Sequence, residues 1–238
     1  MRPYPFAAVC LSLSFASPVA ASSAPRVVVL NLYYAKQGSE EDVLETRLEA
    51  SRVRGRLGLP RGRILRRIQG PDSLPDVIWE CEFEDVTGHD RDMDARAASQ
   101  DFEAVRARMG TLLERFERSL WELRFDGNDG VDVPGISVLN AYYPSPEREE
   151  DVLSHRIHAS EVRGSLGFPE GRVLYRISQG DLPSVLWQMD YADLEARRRD
   201  SEGIGATAEF QEVMEKMGTL IRSFERGIFE IVSESRPD

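Results

Sequence analysis

Two stretches of this chain repeat one another, and that repetition limits the folds open to it more than any other feature. VVVLNLYY at residues 27–34 returns as ISVLNAYY at 136–143. At an offset of 109, 24 of the 43 positions in residues 26–68 are identical to those in 135–177. One residue is lost in the following turn. LPDVIWECEFED then aligns with LPSVLWQMDYAD, and MGTLLERFERSLWEL with MGTLIRSFERGIFEI. Self-similarity over about a hundred residues marks a duplicated unit. The expected division is a first copy at 26–125, a linker at 126–135 rich in Gly, Asp and Asn, and a second copy at 136–232.

Each copy reads as the same series of elements. Residues 27–34 are short, β-branched and aromatic, which predicts a strand. Residues 40–57 place Val43, Leu44, Leu48, Val53 and Leu57 at helical spacing, with Ser39 as N-cap and a stop at Gly58 and Pro60. Residues 63–69 and 76–84 predict two more strands. Residues 99–116 predict an amphipathic helix carrying Phe102, Val105, Met109, Leu112 and Phe116, and residues 119–125 a closing strand. The segment between the third strand and that helix is mixed in charge and reads as a loop. The order β-α-β-β-α-β is the ferredoxin-like plan, an α+β class.

That order, its duplication, the LPxVxW strand and the M-G-T-L helix together resemble the dimeric α/β-barrel superfamily. The resemblance covers residues 26–231. It implies two ferredoxin-like units packed sheet to sheet inside one chain, a monomer with an internal pseudo-dimer, with helices outside and a cavity between the sheets. Such a likeness specifies a fold better than an activity.

The first 21 residues predict an export signal. Arg2 precedes an eleven-residue apolar run (FAAVCLSLSFA), and Val19 and Ala21 fit the −3 and −1 positions of a signal-peptidase cut. The run is too short to span a bilayer, so a periplasmic or secreted product with no membrane segment is expected. Cys10 would leave with the signal, leaving Cys81 as a single thiol inside a strand, where a small buried hydrophobe is expected. With 41 acidic against 30 basic residues and a formal charge of −11, no nucleic-acid partner is expected, because phosphate neutralisation needs clustered cations.

Candidate site residues follow from polar groups kept on the strands of both copies. Alternation puts Asn31 and Tyr33, with Asn140 and Tyr142, on one strand face. If the more apolar face meets the helices, these four line the barrel cavity. Arg67 and Arg176 on the second strands, and Trp79 and Trp187 on the third, complete a set suited to stacking on and hydrogen-bonding a small apolar or aromatic ligand. As core residues instead, the arginines would pair with Glu80, Glu82 or Asp190. The helix-one arginines Arg47, Arg54, Arg156 and Arg163 are expected to pair with Glu114, Glu117 or Glu225.

No catalytic set, cofactor or metal site is expected. Asp126, Asn128 and Asp132 fail the EF-hand template, with Val131 where Gly is needed. His89 is placed in a loop, and His155 and His158 on the solvent side of a helix. Within the superfamily, haem enzymes of the chlorite-dismutase type need an axial His, and haem-degrading monooxygenases an Asn-Trp-His set. Neither pattern is complete. The expected function is therefore an exported small-molecule-binding or accessory protein. The alternative is a cofactor-independent monooxygenase or isomerase acting on a small aromatic or quinone-like substrate.

Overall fold

The computed structural model of the protein describes residues 25–127, 131–180 and 183–232. The expected signal at 1–21 lies outside them, as does part of the 126–135 linker. In the first half the chain forms β1 (Val27–Ala35), α1 (Glu40–Arg56), β2 (Arg63–Gln69), β3 (Val77–Phe83), α2 (Val86–Ala97), α3 (Gln100–Leu112) and β4 (Leu113–Asp126). The second half runs in the same order. It comprises β5 (Ile136–Pro144), α4 (Glu149–Ser165), β6 (Arg172–Arg176), β7 (Val185–Tyr191), α5 (Leu194–Gly205), α6 (Ala208–Leu220) and β8 (Ile221–Ile231).

Two elements differ from expectation. The charged segment after β3 is a helix, α2, not a loop. Asp85 caps it, its carboxylate accepting from the Gly88 amide at 2.7 Å, so a short charged stretch gains a fixed start. The second predicted helix stops at Leu112, and β4 begins at once and runs 14 residues. Its first turn's worth of apolar residues pairs with β1, where Tyr33 opposes Phe116, and the sheet ladder overrides helical periodicity there. Ser39 stands at the α1 N-cap without a side-chain capping bond.

The eight strands close into an antiparallel barrel in the order β1-β3-β2-β8-β5-β7-β6-β4. The halves join along β2–β8 and β4–β6. A closed barrel of eight strands is just wide enough for side chains to fill or for one small ligand. Here apolar side chains fill most of it, leaving a pocket of about 60 Å³ beside Leu30, Ile78, Trp121 and Leu139. Val28, Leu30, Leu32, Leu65, Ile78 and Trp121 meet Leu139, Ala141, Leu174, Leu186, Phe229 and Ile231. Outside, α1 and α3 cover one half of the wall through Val43, Leu44 and Met109, and α4 and α6 the other through Val152, Leu153 and Met217.

One end of the barrel is polar and binds the halves together. Arg63 pairs with Glu80 at 3.0 Å and with Asp190 of the other half. Arg172 reaches back to Glu80 at 3.4 Å and Glu82 at 2.6 Å. These are the carboxylates that sequence reasoning gave to Arg67 and Arg176. Arg67 pairs instead with Asp76 at the far end of β2.

Candidate functional site

The face assignment of β1 is the main correction. Asn31 and Tyr33 point outward, toward the helices, while Leu30 and Leu32 fill the barrel. Both faces of this strand are buried, so relative apolarity was a poor guide: a barrel interior must be the drier side. Asn31 then sits between two neighbours in register, Trp79 on β3 and Arg118 on β4. Arg118 Nε donates to Asn31 Oδ1 at 2.9 Å. Asn31 Nδ2 donates to the Tyr33 hydroxyl at 3.3 Å. The arginine thereby fixes which way the amide faces. The Tyr33 ring leans on Phe116 with centroids 5.3 Å apart.

Above this strand surface, α1 presents Arg47 and Arg54, seven residues apart and so on one side of the helix. Both guanidinium groups lie against the Trp79 ring, 4.9 and 4.5 Å from its centroid. Trp79 Nε1 donates to the Arg61 carbonyl at 2.7 Å, which holds the ring edge. Arg54 is fully committed: its Nε donates to the Pro60 carbonyl at 2.6 Å, and its two terminal nitrogens grip Asp92 on α2. Arg96 Nε donates to the same carboxylate at 2.8 Å. Arg47 differs. It is 3% exposed, donates to Ser51 Oγ at 3.2 Å, and keeps a buried Nε without a partner.

Between these layers lies a cavity of about 420 Å³, bounded by β1, β3 and β4 on one side and α1, α2 and α3 on the other. Its walls include Asn31, Tyr33, Trp79, Met93, Phe102, Val105, Met109 and Phe116, with Arg47, Arg54, Arg96, Arg106 and Arg118. Burial pushes the Arg47 guanidinium below the usual arginine range, opposed by the Tyr33 hydroxyl and reinforced by Arg54. Arg118 is lowered too, first by burial and then by Arg96. The size and the mix of rings with a few polar groups suit a small organic ligand.

The expected ligand set is therefore divided. Asn31, Tyr33 and Trp79 meet in this cavity. Asn140, Tyr142 and Trp187 lie on the opposite side of the barrel, under α4 and α6. Arg67 and Arg176 are in neither group: Arg67 sits at the end of β2, and Arg176 ends β6 opposite Trp121. No cavity between the two sheets unites the eight residues. The helix-one arginines also pair differently from expectation, Arg54 with Asp92 and Arg163 with Asp200. Sequence reasoning missed Arg118 and Arg226, although the run Phe-Glu-Arg recurs in both copies at their positions.

The second half repeats much of this geometry. Arg226 Nε donates to Asn140 Oδ1 at 2.8 Å, and Arg156 and Arg163 lie against Trp187 at 5.1 and 5.4 Å. Ile204, 3% exposed, stands where the first half has Arg96. Asp200 is shared by Arg163 and the Tyr191 hydroxyl.

Haem ligated by an axial imidazole does not fit the first-half cavity, because no histidine is among its lining residues. His89 is buried on α2 with its ring edge-on to Phe83, outside the lining. His155 packs its Nε2 on the Val213 carbonyl at 2.8 Å, so only His158 of that pair is exposed. Among the described residues there is no cluster of three or more His, Cys, Asp or Glu placed to hold a metal ion.

A closed eight-stranded antiparallel barrel with helices outside is the fold of dimeric α/β barrels. Solved structures share that fold. A candidate monooxygenase from Fusobacterium nucleatum superposes with a TM-score of 0.61 at 10% identity, covering 88% of this chain and 94% of the other. An anthrone oxidase-like protein gives 0.62 at 12%, covering 87% and 92%. A chlorite dismutase variant from Candidatus Nitrospira defluvii gives 0.54 at 7%, covering 88% and 92%. No family model matches the chain, and no curated relative does.

Proposed function

We propose that the chain is an exported, tandem-duplicated barrel whose first half binds a small planar aromatic molecule between sheet and helices. Export rests on the sequence of residues 1–21, and duplication on the repeated segments; the two ferredoxin-like units would make a monomer that is its own pseudo-dimer. One observation carries the binding reading: the cavity of about 420 Å³ walled by Tyr33, Trp79, Phe102 and Phe116 with polar groups converging on it. Rings offer flat apolar contact, and the Asn31 amide and the arginines offer orientation. Titration with hydroxynaphthoquinones and anthrones, read by tryptophan fluorescence and melting temperature, tests it. Binding that disappears in Val105→Trp, which fills the cavity, supports the reading. Identical behaviour of the native chain and this variant overturns it.

A second reading is favoured by the same cations and by what the fold's neighbours are named. An arginine beside a bound anthrone or quinol stabilises its enolate or phenolate, the electron-rich form that reacts with dioxygen. The corresponding reaction turns a ring methylene into a carbonyl, consuming one O₂ and releasing one water, with no cofactor. Oxygen-electrode assays with an anthrone test it. Turnover that is unchanged in Asn31→Ala and Arg47→Gln would refute it.

A further inference from the structure

The cavity's charge is out of keeping with the rest of the chain. A protein with a formal charge of −11 collects five arginines and one carboxylate, Glu103, in a single lining. Glu103 is already occupied by Arg106 at 3.2 Å. Asp92, behind the wall, serves both Arg54 and Arg96. Arg47 and Arg118 remain, and among the described residues neither has a carboxylate within ion-pair distance.

Burying a cation without a counter-ion is costly. Arg47 is nearly as buried as Arg54, yet Arg54 has a bidentate carboxylate partner and Arg47 has the Ser51 and Tyr33 hydroxyls and a ring. The ring does not explain the difference, since both guanidinium groups share Trp79. Arg118 donates to Asn31 Oδ1 and to the Met93 sulfur, and Asp92 acts on it only from beyond ion-pair distance. The Tyr33 hydroxyl acts on both cations, so the two converge on one region of the cavity wall.

We infer that the ligand carries an ionised oxygen group, a carboxylate or an acidic enolate on a planar aromatic frame, and that Arg47 and Arg118 are its counter-ions. This rests on the binding reading above and narrows it to acids. The bound anion supplies the partner that the fold withholds from the two arginines, while Trp79 and Phe116 flank the ring system. Arginine suits this task because its fork donates two hydrogen bonds to one oxygen pair.

The test uses the full mature chain and three probes: 1-hydroxy-2-naphthoate, its neutral methyl ester, and 2-hydroxy-1,4-naphthoquinone, which ionises as an enol. Affinities are measured by calorimetry for the native chain, Arg118→Gln and Arg47→Gln. At least one anionic probe is expected to bind about tenfold or more tightly than the ester. The carboxylate and the enol are separated by which of the two is preferred. Each arginine variant should lose that preference, its affinity for the anions falling about tenfold or more further than its affinity for the ester. Arg118 is half-buried, so Arg118→Gln keeps the test open if Arg47→Gln fails to fold. Equal affinity for ester and anions, or an anion preference retained in Arg118→Gln, overturns the charge assignment and leaves the cavity reading standing. If none of the three probes binds the native chain, both readings fall.

Discussion

Gln188 Nε2 donates to Glu80 Oε2 at 2.6 Å across the polar end of the barrel, and these two residues occupy corresponding positions in the two halves of the sequence. A symmetric pairing of identical halves would bring two glutamates, or two glutamines, face to face there. The chain instead holds one of each, so the amide donates where a second carboxylate would repel. Gln188→Glu restores the repulsion. One carboxyl must then take up a proton near neutral pH, and a rise of about two pH units corresponds to roughly 2.7 kcal/mol. Melting curves should show a large loss at pH 7 that shrinks as the pH is lowered toward 5.

Glu80 itself sets an acid limit. Burial alone would raise its carboxyl, but Arg63, Arg172 and the Gln188 amide outweigh burial and hold it below the usual range. A depressed carboxyl adds stability that is present above its unfolded value of about 4.3 and is lost as the pH falls through the folded value. Glu80→Gln should be less stable at pH 7, since Arg63 and Arg172 lose a shared partner. Its stability should also fall less steeply below pH 4 than that of the native chain, as urea titrations at pH 3, 4 and 7 would show.

The barrel was largely legible in the sequence, because repeated strands with apolar residues on both faces have few other ways to be buried. What escaped were features decided by the opposite layer. Period-two alternation shows that Asn31 and Tyr33 share a face, but not which side that face meets. Closure decided it, since the interior is packed with apolar groups such as Leu30 and Ile78. Helix α2 escaped because its buried residues are His89, Asp92 and Arg96, which carry no apolar stripe. Asp92 is inside only because Arg54 and Arg96 are there to meet it, a dependence across 38 residues that local patterning cannot reveal.

That dependence gives a third prediction. Asp92 is 3% exposed and neutralises two arginines. Asp92→Asn leaves both cations buried with one neutral amide, and removing one partner of a buried pair costs roughly 3–5 kcal/mol. Denaturant unfolding should show a loss of that order, with α2 released first in hydrogen exchange. Asp92→Glu keeps the charge and should recover only part of the stability, because a longer carboxylate does not fit the same fork.

Gly62 and Trp79 form a second point of failure. Gly62 has φ +68°, and a Cβ there would lie 2.4 Å from Trp79 Nε1. Gly62→Ala therefore meets both a left-handed backbone penalty and a clash with the ring that Arg47 and Arg54 lie against, and should cost about 1–3 kcal/mol or more. Gly171, φ +72°, stands in the same relation to Trp187, with a Cβ at 2.6 Å. Gly62→Ala should change tryptophan emission and weaken ligand binding as well as stability. Gly171→Ala should lower stability without moving affinity for a ligand held in the first half.

Cys81 sets the alkaline limit. It is 3% exposed, packed with Val29, Tyr33 and Trp79, and burial pushes its thiol up to about 12. The sign follows from proton counts. Between the unfolded value, about 8.5–9, and the folded value, the unfolded chain has released the proton and the native chain has kept it. Stability is therefore complete below pH 9 and falls as the pH rises, by up to about 1.4 kcal/mol per unit from this group. Cys81→Ala removes the slope at the expense of a constant packing loss of about 1 kcal/mol. In equilibrium unfolding the native chain should be the more stable by about 1 kcal/mol at pH 7, the two curves should cross between about pH 9 and 10, and the native chain should be the less stable by about 2 kcal/mol at pH 11. A thiol reagent should label Cys81 at the rate of unfolding. Labelling at the rate of a free thiol in the native state would place it at the surface and remove the basis of the pH effect.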